Sequence, residues 1–486
     1  MTDVSVDGCP TNWEYSSFVD LTNQSKMCIA IPPNVYARVY GNAVYLFNQT
    51  TWASVLIKDA AVFKDLFSRT PTSTERIVKE IVAIHRQPHS CVKSDLNELI
   101  TPLIHDGFLL CGKTVSAVPT QPSFANYSQQ QHLNQDDAEN DQSSTESPED
   151  TLYEYFRDNP TPFELDIDLT QACTERCIHC YAASHGTKSL ELGVIEKAFG
   201  EFHAMGGLKV KLTGGECMLH KNFIDTLQMA RAHDFVISVL SNLTECNDIN
   251  QKAMKATNVA VVQTSLYGAD AQTHETITQR PGSFSQTMKA IEALSRLGIQ
   301  VQIHCPIIRQ NLHAIEGVKE IGKRFGLKTT FDAAIMARAN HDNSNLECSL
   351  SDDMLCQFLK NQGVEKSACK EYVVVTSDTP ICNIGIARIC LSATGIYYPC
   401  SGCYGFALGD CSQMTLAEVW NGEKMTRLRS ISFKELSKCR SCKLLAYCNV
   451  CPARNYNATQ DLFTPDPMLC RIARIKHKLA SGETEI

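Results

Sequence analysis

Between residues 163 and 334, apolar runs of strand length recur in step with amphipathic stretches of helical period. This rhythm limits the possible folds more than any other feature of the chain. Strand-like runs at 163–169, 208–212, 235–240, 259–265, 299–305 and 328–334 alternate with helical patterns near 188–205, 221–233, 283–297 and 311–325. Six strands separated by helices predict a parallel sheet with right-handed crossovers. Ligands then belong at the carboxyl ends of the strands.

The flanks read differently. Residues 1–114 alternate apolar and polar residues around 37–47, then show helical patterns at 60–67, 74–85 and 94–106. The last carries Leu96, Leu99, Ile100, Leu103 and Ile104 on one stripe, followed by Gly107-Phe108-Leu109-Leu110. Strands, helices and a closing hairpin predict a small winged-helix-like domain. Residues 115–150 have almost no periodic apolar content and hold seven acids between Asp136 and Asp150 with no Lys or Arg, which predicts a disordered acidic linker. That linker accounts for nearly all of the net charge of −8, so nothing global points to nucleic acid or an anionic membrane. No apolar run reaches the roughly 18 residues of a membrane span. The opening residues lack the basic and apolar regions of a secretory signal, and a cytoplasmic location is expected. The remaining boundaries are 151–335 for the alternating core, 336–381 for a bridging region and 382–486 for a Cys-rich part.

Cysteine is the compositional outlier, at 23 of 486 residues, ten of them from Cys382 onward. Reduced cytosolic chains have little use for disulfides, so such density suggests metal. After the first core strand the sequence reads Cys173-Thr174-Glu175-Arg176-Cys177-Ile178-His179-Cys180. Three thiolates without an obvious fourth suggest a four-iron cluster with one iron open. The alternative is zinc completed by His179 or His185. In the last part, Cys382 precedes Gly395 and Cys400, then Cys439-x2-Cys442-x5-Cys448-x2-Cys451, with Cys470 last. Short spacings ending in Cys-Pro echo ferredoxin-type ligation, whereas zinc ribbons usually separate their knuckles by about 15–20 residues.

Cys-x3-Cys-x2-Cys after the first strand of a six-fold β/α repeat resembles the radical S-adenosylmethionine (SAM) superfamily. The resemblance implies a partial (β/α)6 TIM-like barrel and a [4Fe-4S] cluster on Cys173, Cys177 and Cys180 whose open iron chelates SAM. Electron transfer then yields a 5'-deoxyadenosyl radical that abstracts a substrate hydrogen. Gly214-Gly215-Glu216 looks like the family's motif for the SAM amino group. Ser241 and Asn242 are placed near the ribose, and Ser265 and Arg280 at the SAM carboxylate. Tyr267 stands where the family usually has Asp, Ile178 where an aromatic is common, and Cys217 where Pro is common. Asp332, ending the sixth strand, is the candidate acid–base residue.

The seven C-terminal motif cysteines resemble the SPASM iron–sulfur extension of peptide maturases. They imply an outer auxiliary [4Fe-4S] cluster on Cys439, Cys442, Cys448 and Cys470, and an inner one on Cys382, Cys400 and Cys451. That makes three clusters, one binding SAM and two auxiliary. With three ligands counted, the inner cluster is expected to have an open or exchangeable iron, with Cys369, Cys390 and Cys403 as the nearest further thiols. Residues 1–114 resemble the recognition element that grips a precursor's leader by strand addition.

The resulting expectation is an enzyme that modifies a ribosomally made precursor peptide, forming a thioether or carbon–carbon crosslink and fed by a reductant such as flavodoxin or ferredoxin. The alternatives are maturation of an enzyme or subunit, as in anaerobic sulfatase or quinohaem amine dehydrogenase maturation, and a non-catalytic iron–sulfur or zinc peptide-binding module.

Overall fold

The computed structural model describes residues 27–118, 148–182, 185–363, 381–382 and 384–481. Two compact units divide the chain, Met1–Asn159 and Pro160–Ile486.

The first unit holds two three-stranded antiparallel sheets. One has the order β5 (Thr72–Ser73), β1 (Cys28–Ala30), β6 (Leu110–Gly112). The other is the meander β2 (Val35–Tyr40), β3 (Ala43–Asn48), β4 (Ser54–Ile57). The helix Thr74–His85 forms over the expected residues and buries Ile77, Val78 and Ile81. Its neighbour His89–His105 starts five residues earlier than expected, just after Pro88, and buries Leu96, Leu99, Ile100 and Leu103 on one stripe. The amides of Phe108 and Leu109 both return to the Leu103 carbonyl, at 2.8 and 3.0 Å, and stop that helix. The strand that follows does not fold back as a local hairpin. It pairs with β1, far earlier in the chain, because β1 is the centre of its sheet.

Helix Pro148–Asp158 also belongs to this unit. Its Phe156 is fully buried and meets Tyr40 edge-on at 5.0 Å. The boundary expected at 150/151 therefore falls inside a helix. Residues 119–147 of the expected linker lie outside the described residues.

In the second unit the six expected strands all form: β7 (Glu164–Thr170), β8 (Lys209–Gly214), β9 (Val236–Leu240), β10 (Val261–Ser265), β11 (Val301–Pro306) and β12 (Lys328–Asp332). They lie side by side in chain order and pair in parallel. Period-two alternation sorts their side chains. Leu165, Ile167 and Leu169 of β7 are wholly buried in the cluster that includes Ile195, Phe199 and Phe202 of helix Leu192–Ala204. Glu164, Asp166 and Asp168 occupy the other face. Among the helices that went unread in the sequence are Asp248–Ala256 and Ala271–Thr278, which follow β9 and β10. Both are short, and both are capped by a side chain, Asn247 and Asp270 respectively.

The Cys-rich part does not begin a separate layer. Its first strand, β13 (Arg388–Leu391), pairs in parallel with β7, and β14 (Ile396–Tyr398) and β15 (Gly409–Asp410) extend the same sheet. The Arg388 guanidinium donates to Glu164 opposite it in register, at 2.8 Å from Nε. Further along, buried Arg454 donates to the carbonyls of Ala334 and Ile335 just past β12 and pairs with Asp466 at 3.0 Å. Removing one partner of such a buried pair costs about 3–5 kcal/mol, so this contact helps fix the C-terminal segment at the barrel rim.

Candidate functional site

The loop after β7 carries Cys173, Cys177 and Cys180, all half-buried. It is held in place by helix Ala271–Thr278: the Arg176 and Ile178 amides donate to the carbonyls of Thr278 and Ile277, at 2.9 and 3.1 Å. The loop thereby satisfies carbonyls that a helix end leaves open. Asn242, at the end of β9, donates to Thr174 Oγ1 at 3.0 Å and approaches Cys173 Sγ at 3.8 Å. The Tyr267 hydroxyl approaches Cys177 Sγ at 3.8 Å. This phenol, standing where the sequence comparison led one to expect a carboxylate, addresses a thiol directly.

Burial is the leading influence on all three thiols. It pushes Cys173 up to about 11 and raises Cys177 and Cys180 as well, with the charge of Cys180 adding to the first two. Thiols this far from ionising need a cationic partner to become thiolates, so the donor set fits a metal centre. Glu175 sits among them, only 3% exposed, with its carboxyl pushed up to about 7 by burial. One of its oxygens, Oε1, has no hydrogen-bond partner among the described residues. A buried acceptor without a donor, next to the thiols, fits a cationic ligand such as an ammonium.

The Gly-Gly-Glu segment ends β8. A Cβ on Gly214 (φ +130°) would stand 2.4 Å from the Thr170 carbonyl oxygen, and one on Gly215 would stand 2.4 Å from that of Ala172. The glycines thus let this loop press against the start of the cysteine loop. Glu216 is wholly buried, and its carboxylate accepts from the amides of Met218 and Asn242 and from the Ser241 hydroxyl, all at 2.8–3.0 Å. Its side chain, like that of Ser241, ties the β8 and β9 ends together. Arg280 forms a 3.5 Å ion pair with Glu245 while a quarter exposed, and its charge also acts on Glu175.

Beside this loop opens a cavity of about 500 Å³, lined by His179, Tyr181 and the polar row of β10–β12. That row is Gln263 and Ser265, Gln302 and His304, then Lys328, Thr330 and Asp332. Each pair is spaced by two along its strand, as one face of a sheet requires. His304 Nδ1 lies 3.0 Å from Thr330 Oγ1, and burial lowers this imidazole while Asp332 raises it. Sequence reasoning selected only Ser265 and Asp332 from the row; the alternation within β10 and β11 was the signal that would have found Gln263, Gln302 and His304. His179, lowered to about 4 by burial, also faces the cavity.

The C-terminal thiols form two groups. Cys439, Cys442, Cys448 and Cys470 line one small cavity of about 40 Å³, together with apolar Leu444, Leu445, Val450, Leu469 and Ala473. Burial raises Cys448 to about 12, and the other three thiols add to the effect. Cys451 does not line that cavity, and the leading charges on Cys400 are those of Cys451 and Cys382, opposed by Arg388. Among the described residues no three such donors converge tightly enough to grip a single metal ion. The four outer thiols line a cavity instead.

Residues 167–320 match the radical SAM superfamily, and residues 382–443 match an iron–sulfur cluster-binding domain, SPASM. Two curated relatives are each 24% identical. One is the AdoMet-dependent heme synthase of Nitratidesulfovibrio vulgaris, over 64% of this chain and 92% of that protein. The other is the antilisterial bacteriocin subtilosin biosynthesis protein AlbA of Bacillus subtilis, over 62% and 69%. Among solved structures, Streptococcus suis SuiB bound to precursor peptide SuiA superposes with a TM-score of 0.60 at 13% identity, over 91% of this chain and 99% of that one. With the cysteine loop at the barrel mouth and the thiol groups beyond it, this chain carries a radical SAM domain followed by an iron–sulfur cluster-binding SPASM domain.

Proposed function

We propose that this chain is a radical SAM enzyme that modifies a ribosomally made precursor peptide by closing an intramolecular thioether or carbon–carbon crosslink. The observation that carries the reading is the juxtaposition at the barrel mouth. Three half-buried thiols lie beside an orphaned carboxylate oxygen, and a cavity of about 500 Å³ with a polar wall opens next to them. When bound there, SAM on a reduced [4Fe-4S] cluster supplies the hydrogen-abstracting radical.

The chain's own residues position and shield. Cys173, Cys177 and Cys180 hold the cluster. The Gly214–Glu216 backbone and Glu175 receive the SAM ammonium, Ser265 and Arg280 take its carboxylate, and Ser241 and Asn242 shape the ribose side. Tyr267 donates toward the Cys177 sulfur. Gln263, Gln302, His304 and Asp332 orient the peptide and hold or accept its protons. Cys439, Cys442, Cys448 and Cys470 hold an outer auxiliary cluster, and Cys382, Cys400 and Cys451 belong to an inner one, for three in all. A flavodoxin or ferredoxin in a reducing cytoplasm supplies electrons.

Peptide is favoured over a heme precursor by coverage. The heme synthase likeness takes up 92% of that protein but 64% of this chain. The SuiB likeness spans 91% of this chain, more than the second unit alone provides, and so extends into the N-terminal unit. That unit offers a groove of about 530 Å³ beside the end of β4, with Ile57, Phe63, Val92 and Leu99 in its wall and Asp59 and Glu98 at its rim. A leader segment with apolar anchors and basic flanks suits it.

The test is anaerobic. Reduced, iron-loaded protein is mixed with SAM and with a short peptide encoded beside it, and 5'-deoxyadenosine and peptide mass are followed. A product lighter by a hydrogen pair supports the reading. Iron-loaded protein that makes no deoxyadenosine would return the chain to a binding module.

A further inference from the structure

We infer that Cys403 is the fourth protein ligand of the inner auxiliary cluster, which is therefore closed by protein and offers no iron to a peptide thiolate. The inference rests on the reading of Cys382, Cys400 and Cys451 as ligands of that cluster.

The geometry comes from a repeated turn. In Cys177-x2-Cys180 the Cys180 amide donates to the Cys177 carbonyl at 3.0 Å, and in Cys439-x2-Cys442 the Cys442 amide donates to the Cys439 carbonyl at 3.0 Å. Both turns carry thiol pairs assigned above to a single cluster. The same bond, Cys403 amide to Cys400 carbonyl, closes Cys400-x2-Cys403 at 3.0 Å.

This turn is packed against the element that begins at Cys451. Asn457, wholly buried on helix Pro452–Thr459, donates to the Gly402 carbonyl at 2.9 Å, and a Cβ on Gly402 would lie 3.9 Å from that of Ala453. Cys403 is 0% exposed, and among the described residues its thiol makes no hydrogen bond. After burial, the influences on it are Cys400, Cys451 and Cys382, the three thiols of the inner group.

The competing thiols are placed otherwise. Cys390 directs its sulfur at the Tyr404 hydroxyl at 3.8 Å, and the leading charges on it are those of Asp168 and Asp166. Cys411 is surrounded by Asp410, Lys197 and Glu201. Cys369 lies outside the described residues. With Cys403 included, the inner group has the four thiolates that a [4Fe-4S] cluster ordinarily takes.

The test uses full-length protein with Cys173, Cys177 and Cys180 replaced by Ala, so that only auxiliary iron is read. Iron and sulfide are assayed after anaerobic reconstitution, with Mössbauer and EPR spectra recorded with and without a small added thiol. Cys403→Ala is expected to leave one iron of the inner cluster labile, giving a three-iron EPR signal on mild oxidation and a spectrum that responds to the thiol. Cys403→Ser should retain four irons with an altered spectrum, and Cys390→Ala should match the parent. Parent-like spectra in both Cys403 variants, or a parent that already responds to the thiol, would overturn the proposal. Joint replacement of Cys382, Cys400 and Cys451 separates the two levels: if it removes no cluster, the underlying assignment fails, whatever Cys403 does.

Discussion

The Tyr404 hydroxyl donates to the Asp168 carboxylate at 2.7 Å, across 236 residues of chain. Tyr404 directly follows Cys403 and stacks on Tyr181, which directly follows Cys180, with ring centroids 6.3 Å apart and planes at 17°. The cysteine loop and the C-terminal turn are thus joined through two rings and one carboxyl on β7. Burial pushes Asp168 up to about 7, and Asp166 adds to the rise while the Tyr404 bond opposes it. A carboxyl whose pKa is raised by folding stabilises the fold when protonated. That contribution is full below about 3.8 and is lost as pH climbs through about 7. Asp168→Asn mimics the neutral form at every pH. The gap in Tm in favour of the variant should therefore widen between pH 4 and 8; parallel Tm curves would refute the assignment.

Gly215→Ala tests the contact between the two loops. The new Cβ would sit 2.4 Å from a backbone oxygen of Ala172, which cannot rotate away as a side chain could. Overpacking of this kind costs about 1–3 kcal/mol. The expected outcome is a Tm lower by several degrees together with weaker SAM binding by calorimetry. An unchanged Tm would mean that the loop has room that the geometry denies it.

Period and spacing explain how much could be read in advance. All six barrel strands were legible as strand-length runs set between helical patterns, five of them largely buried and β12 largely exposed. Helix Asp248–Ala256 was not, since it buries only Asn250 and Met254 and presents little apolar stripe. The cysteine loop and the Gly-Gly-Glu segment were legible as motifs. The carboxylate of Glu216, read from sequence as part of a ligand-binding segment, also accepts from Ser241 and two amides, contacts that spacing does not announce. Which loops meet across a barrel is a tertiary fact that spacing does not encode. The same holds for β13, whose parallel partner β7 lies more than 200 residues earlier.

Replacing Cys173, Cys177 and Cys180 together by Ala should remove one cluster's iron and all SAM cleavage while the auxiliary iron stays, because the thiols of the C-terminal groups lie in other segments. Iron assay and deoxyadenosine chromatography on the same sample check this. Residual deoxyadenosine would sink the central assignment.

Removing residues 1–159 takes away the first compact unit together with helix Pro148–Asp158, whose Phe156 is buried within it. Leader affinity, read by fluorescence anisotropy, should fall at least tenfold, while SAM cleavage without peptide persists. Cutting instead at residue 114 leaves that helix without its Tyr40 contact and should give a less soluble protein. Leader affinity retained by the shorter protein would assign recognition to the second unit.

Asp332 is the side chain we propose takes a proton from substrate. It ends β12 in the cavity wall, and it raises the neighbouring imidazole of His304 against the effect of burial. Its Oδ1 accepts from the Ala334 amide at 2.9 Å, which holds the carboxylate in the cavity wall. Loss of a positioned base typically costs about 10²–10⁴-fold in rate. Asp332→Asn should therefore lower peptide modification by at least about 100-fold while SAM cleavage and leader affinity stay near the parent values. His304→Gln, which keeps a polar group on the wall, should lower modification less and shift its pH profile. Equal losses of SAM cleavage and peptide modification in Asp332→Asn would mean that the residue supports the site's structure rather than a proton transfer.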